Sequence, residues 1–322
     1  VNERLKISSL LVAAAAVFII LGTVELPSYN QLWREIANSG HLFLFGAFAL
    51  IVLEISWSTL RRRVPERIFH YLFAFVTAGI SGLIVELIQL FGARDADPWD
   101  LTLDVIGAVA FLAIRLTVDR DLSARITELV NSSRYRIRIA AVLLVLVFLT
   151  PVYLAAGTLI YRTEIFPFLC RFDTYWDTRM LLVDDAQVNL VPRPEGWPGP
   201  DHSPVGKLTF LPAWYSDFLL KEPYPDWSGY QSLSMQFYNA QRAQLRVSIR
   251  IHDWWHNDEY GDRFNRTLLL RPGYNWILIP LEDVRSAPEN RDMDMTRIAA
   301  VQLFTSRLLD TAVVYVDDFR LM

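Results

Sequence analysis

ELIQLFGARDADPWDLTLDVIGA, residues 86–108, lies in the more apolar half of the chain. Apolar runs flank it on both sides, yet it carries Glu86, Gln89, Arg94, Asp95, Asp97, Asp100 and Asp104. Ionisable groups at membrane depth face a bundle interior or a wet cavity, because contact with hydrocarbon is costly. The stretch therefore reads as a short polar connection between two membrane helices, with the helix ends turned toward each other.

A hydrocarbon core about 30 Å thick needs about 20 mostly apolar helical residues. Five windows meet that demand: Ile7 to Val24, His41 to Trp57, Tyr71 to Phe91, Leu101 to Val118 and Ile139 to Tyr161. Arg4 and Lys6 precede the first, but a small-x-small cleavage site does not follow it and four more spans do, so it reads as a retained span. The connections TLRRRVPER (59–67) and DRDLSARITELVNSSRYRIR (119–138) are rich in Arg, whereas LPSYNQLWREIANSG (26–40) and GARDADPWD (92–100) are poor in Lys and Arg. The positive-inside rule places the N-terminus in the cytoplasm and everything after Tyr161 outside.

Helical spacing then groups the polar residues. Gly82, Glu86 and Gln89 share one face at i, i+4, i+7, and Asp100, Asp104 and Gly107 repeat the pattern on the next helix. His41 opens an earlier span at the same depth, and Arg94 is placed within ion-pair reach of Asp100 or Glu86. The candidate catalytic residues are His41, Glu86, Arg94, Asp100 and Asp104, with Gln89 as a ligand-binding candidate. One reading is an interhelical hydrogen-bond network that locks the bundle. The other is an acidic pocket that binds a polar headgroup or a cation, or performs acid–base work on an envelope lipid. Glu54 and Arg115, toward the opposite helix ends, read as a snorkelling or paired set.

These residues also carry a resemblance. Glu86-Leu-x-Gln89, Arg94, Asp100 and Gly107, with His41 in SGHLFLFGAF, resemble the signature of the VanZ-like family of bacterial membrane proteins over about residues 25–118. Asp104 departs from it, standing where the family usually has Asn. The resemblance implies a bacterial plasma membrane protein and an association with resistance to the glycopeptide teicoplanin, without a settled reaction.

The second half changes character. RTEIFPFLCRFDTYWDTRMLLV (162–183) reads as a linker or an interfacial segment, and from about Val188 short alternating runs are separated by turns. In QLRVSIRI, Leu245, Val247, Ile249 and Ile251 fall on one face, as a half-buried strand requires. Seven such runs (beginning at Lys207, Ser232, Gln244, Arg266, Asn275, Ala299 and Ala312) predict a β-sandwich or jelly roll. The expected organisation is a transmembrane helical domain over 1–162, a linker or interfacial segment over 163–183, and an extracytoplasmic β-sandwich over 184–322.

RPGYNWILIPLEDV followed by VVYVDDFRL resembles the galactose-binding-like jelly rolls of carbohydrate-binding modules over about residues 180–322. That resemblance implies glycan recognition, and Asp317 or Asp318 as ligands of a structural calcium ion. Within HDWWHNDEYGDRFNR (252–266), Trp254, Trp255, His256, Tyr260 and Arg263 can stack on sugar rings and bond to hydroxyls. Asp253, Asp258 and Asp262 are placed to orient Arg263 and Arg266 instead of a ligand.

Composition narrows the classes further. The 322 residues carry a formal charge of −4, which offers no dense basic surface for nucleic acid. One cysteine, Cys170, excludes an internal disulfide and a cysteine-based zinc site. Phosphate-binding glycine loops, nucleophile elbows and zinc-protease motifs do not occur. The expected partners are membrane lipids and an envelope glycan or glycolipid.

Overall fold

A computed structural model of the chain describes residues 3–23, 30–90, 97–119, 122, 124, 128, 133–198 and 204–322. The chain forms two compact units, Val1–Ala156 and Gly157–Met322.

The apolar windows of the first half form helices α1 (Glu3–Thr23), α2 (Gln31–Leu60), α3 (Arg67–Leu90), α4 (Pro98–Val118), α5 (Arg134–Phe148) and α6 (Thr150–Ile165). The first four are each long and apolar enough to cross a membrane, and a fifth span results if α5 and α6 count as one. Those two are bent by 46°. Pro151 explains the break: it has no N–H for the Val147 carbonyl, and its ring crowds that oxygen.

Each of the five hydropathy windows begins inside its helix, and at α2 and α4 a side-chain cap sets the earlier start. The Asn30 side chain caps α2 by accepting from the Trp33 N–H at 3.0 Å. Residues 31–40, read as loop, are therefore helical, and His41 lies inside α2 instead of opening it. Asp97 caps α4 in the same way, accepting from the Trp99 N–H at 2.9 Å, and Pro98 occupies the first helical position. Asp100 thereby falls in the first turn of α4.

Helix α2 is central, packing against α1, α3 and α4, while α4 also contacts α3 and α5. Phe45, Phe48, Ala49 and Val52 of α2 meet Ala74 and Ala78 of α3 and Ala108 and Leu112 of α4 in one buried cluster. Leu72, Val76, Ile80, Leu83 and Leu87 of α3 remain exposed, an apolar face suited to lipid. Glycines set the helix spacing. A Cβ on Gly107 would stand 2.0 Å from the Leu42 carbonyl oxygen, and one on Gly46 would stand 2.5 Å from the Phe111 ring.

In the second unit every strand pairing is antiparallel, and two sheets form a sandwich. Strands β3 (Ala186–Pro192), β4 (Pro204–Phe210), β11 (Ala312–Leu321), β6 (Ser232–Asn239) and β9 (Gly273–Pro280) make one sheet in that order. Strand β1 (Phe168–Cys170) adds to it by pairing with β11. Strands β2 (Leu181–Asp184), β5 (Tyr215–Lys221), β10 (Ile298–Ser306), β7 (Leu245–Asp253) and β8 (Phe264–Leu270) make the other. As the alternation required, Val247, Ile249 and Ile251 are buried in the core, with Leu245 packed at its edge. They meet Leu208, Phe210, Leu233, Phe237, Val316 and Phe319 of the facing sheet.

Residues 163–183 do not form a simple connector. Ile165, Leu169, Cys170, Phe172 and Met180 are buried in the sandwich core. A short helix, α7 (Tyr175–Arg179), is anchored by the buried Asp177, which accepts from the backbone N–H groups of Arg171, Asp173 and Thr174. Burial also pushes the Cys170 thiol well above its ordinary range, as an inert core thiol requires.

Gly107→Ala is expected to lower the unfolding temperature of the detergent-solubilised chain, because overpacking against a backbone carbonyl costs about 1–3 kcal/mol or more. Gly79→Ala, where a Cβ meets nothing within 4 Å, is expected to leave it unchanged or raise it.

Candidate functional site

The helical unit brings together most of the residues that the sequence singled out. His41 Nδ1 lies 3.0 Å from Asp104 Oδ1, and His41 Nε2 lies 3.6 Å from Asp100 Oδ2. One imidazole thus sits between two carboxylates of α4, and the Phe45 ring lies parallel to it one turn on. Asp104 is only 1% exposed and Glu86 7%. A Cβ on Gly82 would come 2.6 Å from Asp104 Oδ2, so α3 approaches α4 through the face that the spacing predicted.

Among the described residues, the buried Glu86 Oε1, Gln89 Oε1 and Asp104 Oδ2 of this cluster find no hydrogen-bond partner. Orphaned buried acceptors are uncommon in a finished packing network, because each one costs free energy. The arrangement can accept a proton or hydrogen bonds from a bound group. Arg94 and Asp95, and with them the ion pair expected for Arg94, lie outside the described residues. Among the described residues, no group of three or more His, Cys, Asp or Glu side chains is arranged to hold a metal ion.

The β unit has its own recess. The loop between β7 and β8, with a 3-10 turn at Tyr260–Asp262, faces residues 289–291 across a cavity of about 420 Å³. Trp255 and Tyr260 line it and are 61% and 73% exposed, so both rings are available to a ligand. Asn257, Glu259, Asp262, Glu289, Asn290 and Arg291 supply its polar lining. Of the loop residues proposed from sequence, Trp254, His256 and Arg263 are not part of that wall. The His256 side chain is turned inward and donates from Nδ1 to the Asp262 carbonyl at 3.0 Å, and Arg263 lies over the Tyr260 ring at 5.5 Å.

Arg291 holds this recess in shape. Its guanidinium donates to both oxygens of the buried Asp253 at 2.5 and 2.8 Å, and to Asp262 at 2.6 Å. Asp253 also accepts from the Trp255 and Asp294 N–H groups, at 3.1 and 2.7 Å. The aspartates thus orient Arg291, not Arg263 or Arg266 as expected; Arg266 pairs with Asp283 at 2.5 Å. The hydrogen bond from Arg291 holds the Asp262 carboxyl below the ordinary range, and the bonds to Asp253 and Asp262 raise Arg291. Nothing in the loop sequence announced Arg291, because it enters from a segment almost forty residues downstream.

A second aromatic surface also escaped the sequence reading. On β9, Tyr274, Trp276 and Leu278 project outward, opposite Tyr238, Gln236 and Ser234 of β6. Trp197 stacks on Tyr238 with ring centroids 6.1 Å apart, and Trp276 Nε1 donates to Ser234 at 2.8 Å. The alternation in GYNWILIP was the available signal. At its edge, Asp317 pairs with Arg193 at 2.5 Å, and Asp318 accepts from Gln236 at 2.9 Å. Burial, followed by the Asp318 charge, pushes Asp317 up to about 7 against the pull of Arg193.

Arg291→Ala leaves Asp253 buried without its counter-charge and is expected to destabilise the β unit by about 3 kcal/mol, read as a lower denaturation midpoint. Because the folded Asp262 pKa is depressed, its contribution is complete above the unfolded value of about 4 and is lost as pH falls through the folded value. Asp262→Asn is therefore expected to flatten the acid limb of the stability profile.

No family profile matches the chain, and no curated protein does. Among solved structures it is similar to an exo-β-agarase, with 16% identity and a TM-score of 0.40 over 48% of this chain and 24% of that one. It is also similar to a second agarase, with 13% identity and a TM-score of 0.37 over 48% and 26%. A third is the family 11 carbohydrate-binding module from Clostridium thermocellum in complex with a β-1,3-1,4-mixed-linked tetrasaccharide, with 14% identity and a TM-score of 0.34 over 44% and 86%. The chain spans 24% and 26% of the length of the two agarases.

Proposed function

We propose that this is a VanZ-like, multi-pass protein of the bacterial plasma membrane whose β unit recognises an envelope glycan or glycolipid. In this reading the N-terminus is cytoplasmic and the sandwich lies outside, as the arginine-rich connections indicate. The observation that carries the reading is the recess of about 420 Å³ with Trp255 and Tyr260 on its wall. Exposed aromatic faces beside convergent amide, carboxylate and guanidinium groups suit a sugar, which presents apolar ring faces and a rim of hydroxyls.

Charge narrows the ligand class. Glu259, Asp262 and Glu289 outweigh Arg291 in the lining, so the recess favours neutral or amino-bearing sugars over polyanionic ones. The full chain in detergent, tested against neutral, amino-bearing and anionic envelope polysaccharides, is expected to bind the first two classes. Trp255→Ala and Tyr260→Ala are each expected to weaken binding roughly 30-fold, the loss of about 2 kcal/mol typical of an aromatic anchor. Binding confined to anionic glycans, or unaffected by either substitution, would overturn the assignment.

The unpartnered oxygens of Glu86, Gln89 and Asp104 favour a second reading, a membrane enzyme acting on a lipid-linked envelope substrate. His41 between Asp104 and Asp100 would carry the proton. Cells producing the chain are then expected to show a shift in teicoplanin susceptibility that His41→Ala abolishes at unchanged membrane abundance, while Trp255→Ala leaves it in place. Retention of the shift in His41→Ala would leave the cluster a packing network.

A further inference from the structure

At the end of the helical bundle opposite His41, α1, α2, α3 and α4 surround a separate polar cavity of about 230 Å³. A water occupies about 30 Å³ of liquid, so the space fits a phosphate group with a few waters. It is smaller than the recesses that hold drug-sized molecules, which start at about 300 Å³.

Its charged groups are incompletely matched. Lys6, Arg61, Arg67 and Arg115 face Glu3, Glu54 and Asp119. Glu54 receives Lys6 at 3.0 Å and Arg115 at 3.3 Å, Glu3 receives Arg61 at 2.6 Å, and Asp119 receives Arg67. A guanidinium carries five N–H donors, and each of the three arginine pairs engages a single guanidinium nitrogen. Among the described residues, the cavity therefore has one more cation than anion and a larger surplus of donors over acceptors.

Tyr71 points the same way independently. It is 8% exposed, it lines the cavity, and its hydroxyl has no hydrogen-bond partner among the described residues. A buried hydroxyl without a partner is costly. Neighbouring His70 cannot supply one: its Nε2 donates to the Val64 carbonyl at 2.9 Å, and its Nδ1 accepts from the Ser56 hydroxyl at 2.7 Å. What completes the cavity must be small, anionic and rich in acceptors. Phosphate has all three properties, and guanidinium forks match its geometry.

The flank of the cavity indicates where the phosphate comes from. Ile68, Phe69 and Leu72 stand exposed on α3 beside Arg67 and Tyr71, an apolar track along which acyl chains can lie. We propose that this cavity binds the phosphate of a membrane phospholipid, with the lipid chains along α3.

The test uses the full chain in detergent, titrated by native mass spectrometry with phosphatidylglycerol, inorganic phosphate and the phosphate-free lipid monogalactosyl diacylglycerol. Saturable binding of phosphatidylglycerol, with no comparable binding of the galactolipid, is expected. Tyr71→Phe and Arg61→Gln are each expected to weaken it about tenfold, the value of one charge-assisted hydrogen bond. Without added lipid, Tyr71→Phe is expected to unfold at the same or a higher temperature, because it deletes an unsatisfied hydroxyl; weaker binding then cannot be misfolding. Inorganic phosphate binding as tightly as phosphatidylglycerol would overturn the lipid as the source. Absence of saturable phosphatidylglycerol binding, or affinity indifferent to both substitutions, would overturn the site itself.

Discussion

The contact between Gly107 and the Leu42 carbonyl governs the helical unit. In a membrane, lipid chains are as apolar as the helix surfaces, so close backbone approach replaces the hydrophobic effect as the source of helix association. Gly107 lets α4 close onto α2, and Gly82 leaves room for the Asp104 side chain at the α3–α4 boundary. His41 immediately precedes Leu42, and Asp104 lies one turn before Gly107. The packing contact and the His41–Asp104 bond are thus two parts of one interface. Separating the helices by a methyl group would lengthen a 3.0 Å bond between two buried groups. The polar cluster exists because the small residues beside it bring its helices within reach.

In the β unit a charge does comparable work by a different route. Asp253 ends β7 in the core, where an unpaired carboxylate would be costly, and the bidentate bond from Arg291 makes its burial tolerable. Because the same guanidinium reaches Asp262, neutralising the buried charge also fixes the loop that presents Trp255 and Tyr260. Pre-organised aromatic rings lose less freedom when a ligand arrives. Order in this recess is thus coupled to a pairing that the sandwich needs in any case.

Much of this was legible in the sequence. Window hydropathy found the four long helices and the bent pair, and period-two alternation found β4, β6, β7, β8, β9, β10 and β11. Strands β1, β2, β3 and β5 were missed. With three and four residues, β1 and β2 are too short to show a period. Strand β3 alternates Ala186, Val188 and Leu190 with Gln187 and Asn189 but was passed over, and in β5 the apolar Tyr215 and Leu219 share a face with Asp217 and Lys221, which blurs the alternation. The starts of α2 and α4 were misplaced for another reason. Hydropathy does not register a cap, although Asn30 and Asp97 were each visible one residue before the helix began. Partners remote in sequence were illegible. Local reading assigned Asp253 and Asp262 to arginines nearby, whereas the fold supplies Arg291 from across the recess. On the helical side, spacing placed Glu86, Asp100 and Asp104 on the correct faces, since one short connection made α3 and α4 neighbours.

The helix dipoles add a distinction that spacing alone does not contain. On α4 the charges suit the backbone, with Asp100 in the first turn and Arg115 in the last. On α3 they are reversed: Arg67 opens the helix at its positive end, and Glu86 lies near its negative end. Neither is placed where an isolated helix would favour it, so each must be held by something else. For Arg67 the compensation is inside the chain, since it pairs with Asp119 and stacks over Trp57 at 4.4 Å. For Glu86 it is incomplete, because Oε1 is buried without a partner among the described residues, near the like charges of Asp100 and Asp104. A donor or a proton arriving from outside would therefore gain more at Glu86 than at any carboxylate whose partner the helices already provide.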